Sequence, residues 1–452
     1  MSMRTVSKVK NKPYADNTMT KSELGNLGPV NNEKVGEKGG KNVEFEEENK
    51  IIRGNKNKSE KLTVDPILKL DYVIGYTGKD LCWSPIKEHK SIVYASGGLL
   101  VTLNVKTNQQ RFFLGHTDLI TCFTFSLDGT LIASGQDGSK PTIRIWDFET
   151  GKSFSVIYPK LKYVECISFS CDRGTLAVSG RDEKNKECII LWDCSVLSSS
   201  SKPIQITKQI SNFNIIALKF SPIDPYVLMT CGRENIRSWR LKNSHLQGSS
   251  IVLDHRARNT IFTDLDYEYG FKSSDIVENE SLSRILVSSK TGLIMIINYH
   301  TKKLENAFQI HDGPIQSISV NEAFCVTGSE DNLLRVWLRD FSEYFIEAPH
   351  DGTVSAVDIS PDGTQIVCGT DNGSLGMVDI AKEKYVTLLR SHSDEILSAD
   401  YNIERNFIIT ISKDKTIRLW GVDGNFQKIY EFVSPHDQAI SVSSHPSLPL
   451  FG

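Results

Sequence analysis

No H-E-x-x-H, no G-x-S-x-G and no C-x-x-C occurs anywhere in the 452 residues. The first absence excludes the two-histidine zinc helix of metallopeptidases, and the second the elbow that presents a nucleophilic serine. The cysteine pairs Cys166/Cys171 and Cys188/Cys194 have no histidine at zinc-ligand spacing nearby. Gly151-Lys152-Ser153 has the look of a phosphate-loop end, but that loop needs a glycine where Trp146 stands. No metal, cofactor or small-molecule substrate is therefore expected, and no enzymatic activity. Excess positive charge is also lacking: 52 basic residues face 55 acidic ones, a net charge of −3, which argues against nucleic acid as a partner. No run approaches the ~18 apolar residues of a membrane span, and the opening MSMRTVSKVK has no apolar signal core. Nine scattered cysteines make an odd count. Cys122, Cys166, Cys188, Cys231, Cys325 and Cys368 fall in predicted strands. Both features fit free thiols in a reducing cytosol.

What is present is a repeat. Between Gly115-His116 and Trp146-Asp147, alternating apolar residues predict strands at 120–125, 131–134 and 142–146, and 152–158 can add a fourth. Leu127-Asp128-Gly129 and Gln136-Asp137-Gly138 supply turn chemistry between them. Four short antiparallel strands opened by Gly-His and closed by Trp-Asp resemble one blade of a WD40-type β-propeller. One blade cannot bury its own faces, so it must recur. With Trp146 as anchor, equivalent positions fall at Leu103, Trp192, Trp239, Ile297, Trp337, Val378 and Trp420. Apart from one longer step between Trp239 and Ile297, these anchors keep close to the blade period of ~40–45 residues. The expected fold is all-β: a WD40 propeller of seven, alternatively eight, four-stranded blades.

Residues 1–69 are expected to form a disordered polar tail, because they offer too little apolar surface to offset chain entropy. Positions 1–64 hold 13 basic and 9 acidic side chains. Residues 70–435 are expected to be the propeller, with 70–76 as a strand that pairs into the last blade and fastens the ring. Residues 267–281 are the excess behind the long step in blade five, and a loop of that length is often functional or disordered, so binding work and plain length variation both stand open. His436-Asp437, then 439–444, begin another repeat, so 436–452 are read as its start or as the opening of a second propeller.

In WD40 blades a histidine, a Ser or Thr, an Asp and the Trp form a hydrogen-bonded chain. Matching residue by residue assigns His116, Ser134, Asp137 and Trp146; His311, Thr327, Asp331 and Trp337; and His392, Thr410, Asp414 and Trp420. A His-Asp-Ser grouping also describes a catalytic triad. Recurrence in three blades, each ending on an indole, favours a structural role.

Other stretches are similar to one subgroup. These are Asp71-Tyr72-Val73-Ile74-Gly75-Tyr76, the run Gln109 to Asp118 (QQRFFLGHTD), Gly328 to Trp337 (GSEDNLLRVW), Asp340-Phe341-Ser342 and Ser360-Pro361-Asp362-Gly363. They resemble echinoderm microtubule-associated protein-like propellers and a related WD-repeat family of centriolar and ciliary scaffolds. The resemblance covers 70–452. It implies a non-enzymatic scaffold in the cytoplasm and cytoskeleton, at the centriole or basal body or along the axoneme. It implies protein partners, tubulin or microtubule-associated proteins, and no membrane. That family carries a folded tubulin-binding domain ahead of its propellers, where the polar tail stands here. A competing reading is an adaptor or substrate receptor in a ubiquitin ligase or other multiprotein complex. Such receptors carry Trp-Asp-x-Arg at blade ends, whereas this chain reads Trp146-Asp147-Phe148-Glu149 and Trp192-Asp193-Cys194-Ser195.

Overall fold

The computed structural model describes residues 69–452 apart from 87–89, 197–201, 254, 256–258, 269–283, 423–425, 427, 434–438 and 449. The tail over 1–68, most of the 267–281 insertion and His436-Asp437 lie outside the described residues.

Alternation of apolar and polar residues in short runs produces strands, and Asp/Gly turns fold each run back on the last. Gly129 and Gly138 take φ of 72° and 105° at the two turns read from sequence, a region that L side chains rarely enter. The outcome is eight four-stranded antiparallel sheets, each built from consecutive strands. They span 81–113, 120–157, 161–210, 215–250, 262–309, 315–349, 354–390 and 396–433, and are called blades one to eight. Every anchor sits on the third strand of its sheet, opposite the same position of the second: Leu103 faces Ile92, Trp146 faces Ile132, Trp337 faces Cys325 and Val378 faces Ile366. Leu103, Ile297 and Val378 are as buried as Trp146. Tryptophan is thus one way of filling that place, and an aliphatic side chain is another. All nine cysteines are free.

The core lies between blades as much as within them. Ile167 and Phe169 of blade three pack on Ala133 and Ile143 of blade two, and Val357 and Ile359 of blade seven on Phe324 and Val326 of blade six. The first strand of blade one, Leu81–Trp83, packs on the first strand of blade seven, Val354–Ile359. Leu81, Trp83, Tyr94, Val367, Leu375 and Met377 form one cluster across that seam. Seven blades therefore close the ring, and blade eight is not one of them.

Residues 70–76 are not a strand, which corrects the expectation of a borrowed one. The Val73 amide donates to Gln110 Oε1 (2.8 Å), and the Val73 carbonyl accepts from Gln110 Nε2 (2.9 Å). A side chain thus saturates the backbone groups that a strand partner would have taken. Val73 and Tyr76 still enter the core of the closing seam, and the Tyr76 ring lies against Gly369, whose missing Cβ would stand 2.4 Å from it. The segment is a wedge between blades one and seven.

Candidate functional site

Three of the hydrogen-bonded chains read from sequence are assembled by the fold, one with a change of member. In blade six the Trp337 indole N–H donates to Thr327 Oγ1 (2.9 Å). The Thr327 hydroxyl, its oxygen so engaged, donates to His311 Nε2 (2.8 Å), and His311 Nδ1–H donates to Asp331 Oδ2 (2.7 Å). Blade eight repeats this through Trp420, Thr410, His392 and Asp414 at 2.8, 2.7 and 2.9 Å. In blade two, Trp146 donates to Ser134 (2.8 Å) and Ser134 to His116 (2.7 Å), but His116 Nδ1 turns to Gln136 Oε1 (2.8 Å). Asp137 is outside this chain, a correction to the sequence assignment. The reason is spacing: Asp331 and Asp414 stand four places after their threonines, Asp137 only three after Ser134. The longer Gln136 side chain reaches from the strand end instead.

Burial pushes His116 down to about 4 and His311 below its ordinary value. Burial alone would raise Asp414, but hydrogen bonds from His392 and Thr416 outweigh it and hold the carboxyl well below the usual range. Ser134 and Thr327 are fully buried and doubly engaged. Such hydroxyls have their hydrogen-bonding capacity taken up inside the blade, as buried polar groups in a folded sheet require.

Two further chains were not read from the sequence. In blade four, Trp239 donates to Thr230 (2.9 Å), and Phe213 stacks on the indole. In blade seven, His350 Nδ1 donates to the Ala348 carbonyl (2.9 Å) and Nε2 meets Cys368 Sγ at 3.1 Å. Cys368 takes the hydroxyl's place, and burial keeps its thiol protonated, pushed up to about 12. His350, two places before Gly352 and four before the strand at Val354, was the available signal.

A second recurring arrangement lines the inner strands. Side chains at alternate positions of one blade accept backbone N–H groups from the next. Asp80 takes Phe123 (3.2 Å), Ser168 takes Phe220 (3.0 Å), Asp264 takes Ile318 (3.1 Å) and Asp266 takes Val320 (2.9 Å). Ser317 and Ser319 take Val357 and Ile359, each at 3.3 Å, and Asp358 takes Trp83 (2.7 Å) across the closing seam. Burial raises Asp80 and Asp358 to about 6. Lys219 of blade four stands 3.2 Å from Asp266 and 4.0 Å from Asp264; burial opposes its charge, but the two carboxylates outweigh that and hold it as a cation. Among the described residues no group of three or more His, Cys, Asp or Glu is arranged to hold a metal ion, and no helix is long and apolar enough to cross a membrane.

The family described as "Echinoderm microtubule-associated protein first beta-propeller" matches residues 109–375, and a WD domain, G-beta repeat, matches 383–421. The chain is 33% identical over 407 residues to WD repeat-containing protein 90 of Xenopus tropicalis, covering 85% of this chain and 22% of that protein. It is 32% identical over 363 residues to Centriole proteome protein 16 of Chlamydomonas reinhardtii, covering 73% of this chain and 17% of that one. Echinoderm microtubule-associated protein-like 2 of Mus musculus is 27% identical over 398 residues, 84% of this chain and 58% of the relative. The chain thus spans about a fifth of the length of the first two. By its blades and by these matches, the chain belongs to the WD40 β-propeller family of the echinoderm microtubule-associated protein type.

Proposed function

We propose that the protein is a non-enzymatic scaffold of centriolar or ciliary microtubules, acting through protein contacts of its blade loops. The observation that carries this reading is the similarity to WD repeat-containing protein 90 and Centriole proteome protein 16 along most of the chain. The fold supports it: the His, Ser or Thr and Trp side chains of blades two, six and eight are engaged with one another, and a ring with many loops on rigid strands holds several partners at fixed spacing. Tubulin presents an acidic outer surface. Beyond position 64 acidic side chains outnumber basic ones, while positions 1–64 carry 13 basic and 9 acidic. The tail therefore contributes weak, salt-sensitive attraction to bare microtubules, and neighbouring proteins on the blade loops supply the address. Co-sedimentation with microtubules at low and physiological salt, with and without residues 1–64, tests the first part. Binding that is salt-insensitive or indifferent to the tail overturns it. Imaging a tagged tail-less protein in ciliated cells tests the second: a diffuse cytosolic signal with no centriolar or ciliary focus removes the scaffold reading.

A further inference from the structure

Four blades carry an arginine two places before the tryptophan of the third strand: Arg144, Arg237, Arg335 and Arg418. In blades two, four and six the guanidinium carbon stands over the indole, at 5.7, 5.8 and 5.9 Å. Blades six and eight neutralise this charge from within. Strand register sets Glu347 opposite Arg335 and Glu431 opposite Arg418. Arg335 Nε donates to Glu347 Oε2 (2.7 Å), and Arg418 Nη2 stands 3.6 Å from Glu431 Oε1. Each guanidinium also donates to a backbone carbonyl, that of Ile310 (2.7 Å) or Arg390 (3.3 Å).

Blades two and four lack such a partner. Val156 stands opposite Arg144, and Ser250 opposite Arg237. Both Nε atoms are buried without a hydrogen-bond partner, and neither guanidinium has an ion pair among the described residues. The place opposite Arg237 is the more open, because Ser250 is exposed and Val156 half-buried. Arg237 also has a second aromatic platform. Its guanidinium carbon lies 4.3 Å from the centroid of the Phe213 ring, which itself stacks on Trp239 at 6.3 Å. Glu187 of blade three reaches Asn214, next to Phe213, but its Oε1 is already taken by Asn214 Nδ2 (3.0 Å) and Arg181 Nε (2.5 Å). A guanidinium stacked by its faces keeps its N–H edge for an in-plane acceptor, and a carboxylate matches that edge in shape and charge.

We propose that Arg237, backed by Phe213 and Trp239, is a docking site for a carboxylate of an acidic peptide segment in a protein partner. The fold's own usage selects a carboxylate: the same arginine in blades six and eight takes one from the fourth strand, and blade four leaves that place to an outside group. The site rests on the scaffold reading for its protein partner, and gives one contact of that scaffold its chemistry.

Fluorescence anisotropy of a labelled oligoglutamate peptide, titrated with the purified 452-residue chain, tests the site. Arg237→Gln is expected to weaken binding ~10-fold or more, the loss of one charge-assisted pair. Ser250→Glu keeps the arginine and supplies from within the carboxylate that Glu347 and Glu431 supply in their blades. It should block the peptide to the same degree and raise the melting temperature, and the rise should vanish when Arg237→Gln is added. Gln247→Glu puts the same charge on the same strand but opposite Arg240, and should leave the affinity nearly unchanged. The proposal is overturned if the parent chain does not bind the peptide, or if Ser250→Glu neither blocks nor stabilises. It is also overturned if Gln247→Glu weakens binding as much as Ser250→Glu, which would reduce the effect to net charge. Displacement of the peptide by inorganic phosphate at lower concentration than by free glutamate marks a phosphate site and overturns the carboxylate assignment. The assay involves no cell, so its failure is distinct from the loss of a centriolar or ciliary focus that removes the scaffold reading.

Discussion

Trp337 and Trp192 hold the same place in two blades, yet their loss should not cost the same. Trp337 is buried, its N–H meets Thr327, and its ring packs edge-on against Tyr344 at 5.4 Å. Trp192 is only partly buried, and its indole nitrogen has no acceptor among the described residues. Trp337→Ala is expected to cost ~3–5 kcal/mol, as loss of a large buried aromatic does, and Trp192→Ala clearly less. Thermal melts of the two variants check this, and equal shifts would show that the hydrogen-bonded chain contributes nothing to the blade. The tryptophans, threonines and histidines of these chains were legible because their spacing recurs. Gln136 was not: with the longer turn between Gln136 and Thr142 the acceptor stands two places nearer the hydroxyl residue than in blades six and eight, and only the folded turn shows which side chain arrives.

Blade seven shows how an element survives without the usual residues. Val378 stands at the tryptophan place, Cys368 at the hydroxyl place, and Tyr385 of the outer strand leans over Gly376 to fill the gap; the His350 and Tyr385 rings meet edge to face at 5.1 Å. A Cβ on Gly376 would stand 2.0 Å from Tyr385 Oη. Gly376→Ala must therefore displace Tyr385, and a loss of ~1–3 kcal/mol is expected from such overpacking. With Tyr385 already replaced by alanine, the same Gly376→Ala change should cost much less. A double-mutant cycle measures this coupling, and strict additivity would place Tyr385 elsewhere in solution. The substitution at the anchor was readable from the period, but its compensation was not, because Tyr385 lies in the next strand and reaches back.

At the scale of the whole molecule, the seam between blades one and seven closes the ring through the shortest inner strand, Leu81–Trp83. Asp358 there takes the Trp83 amide and the Ser319 hydroxyl (3.1 Å), while burial raises its carboxyl to about 6. The unfolded chain ionises that carboxyl near the ordinary value of 3.8. The fold therefore holds the proton more tightly than the unfolded chain does. Its contribution to stability is fully present below pH ~4 and is lost as pH rises through 6. Asparagine keeps one acceptor oxygen for the Trp83 amide, can donate its NH2 to the Ser319 hydroxyl, and does not titrate. Asp358→Asn is thus expected to melt higher than the parent at pH 8, with the difference shrinking as pH falls from 7 to 5. Comparing the two proteins at each pH cancels the buried histidines, which titrate identically in both. A difference that stays flat with pH would mean that Asp358 is not desolvated at the seam.

The sequence by itself determined the blade, its period, the eight anchors and most members of the three polar chains. All of these depend on spacings within a single blade, and alternation and turn chemistry write such spacings directly into the chain. Tertiary structure decided the ring size, the wedge and the place of blade eight outside the ring. Ring closure rests on Asp358 meeting Trp83 from the far end of the ring, and a period that counts eight anchors is equally compatible with seven blades or eight. Residues 70–76 have the apolar pattern of a strand, but whether they pair depends on what stands beside them, and Gln110 stands there. Blade eight carries an anchor tryptophan and a polar chain like blades two and six, and only the packing of blade one on blade seven shows that it stands outside the ring.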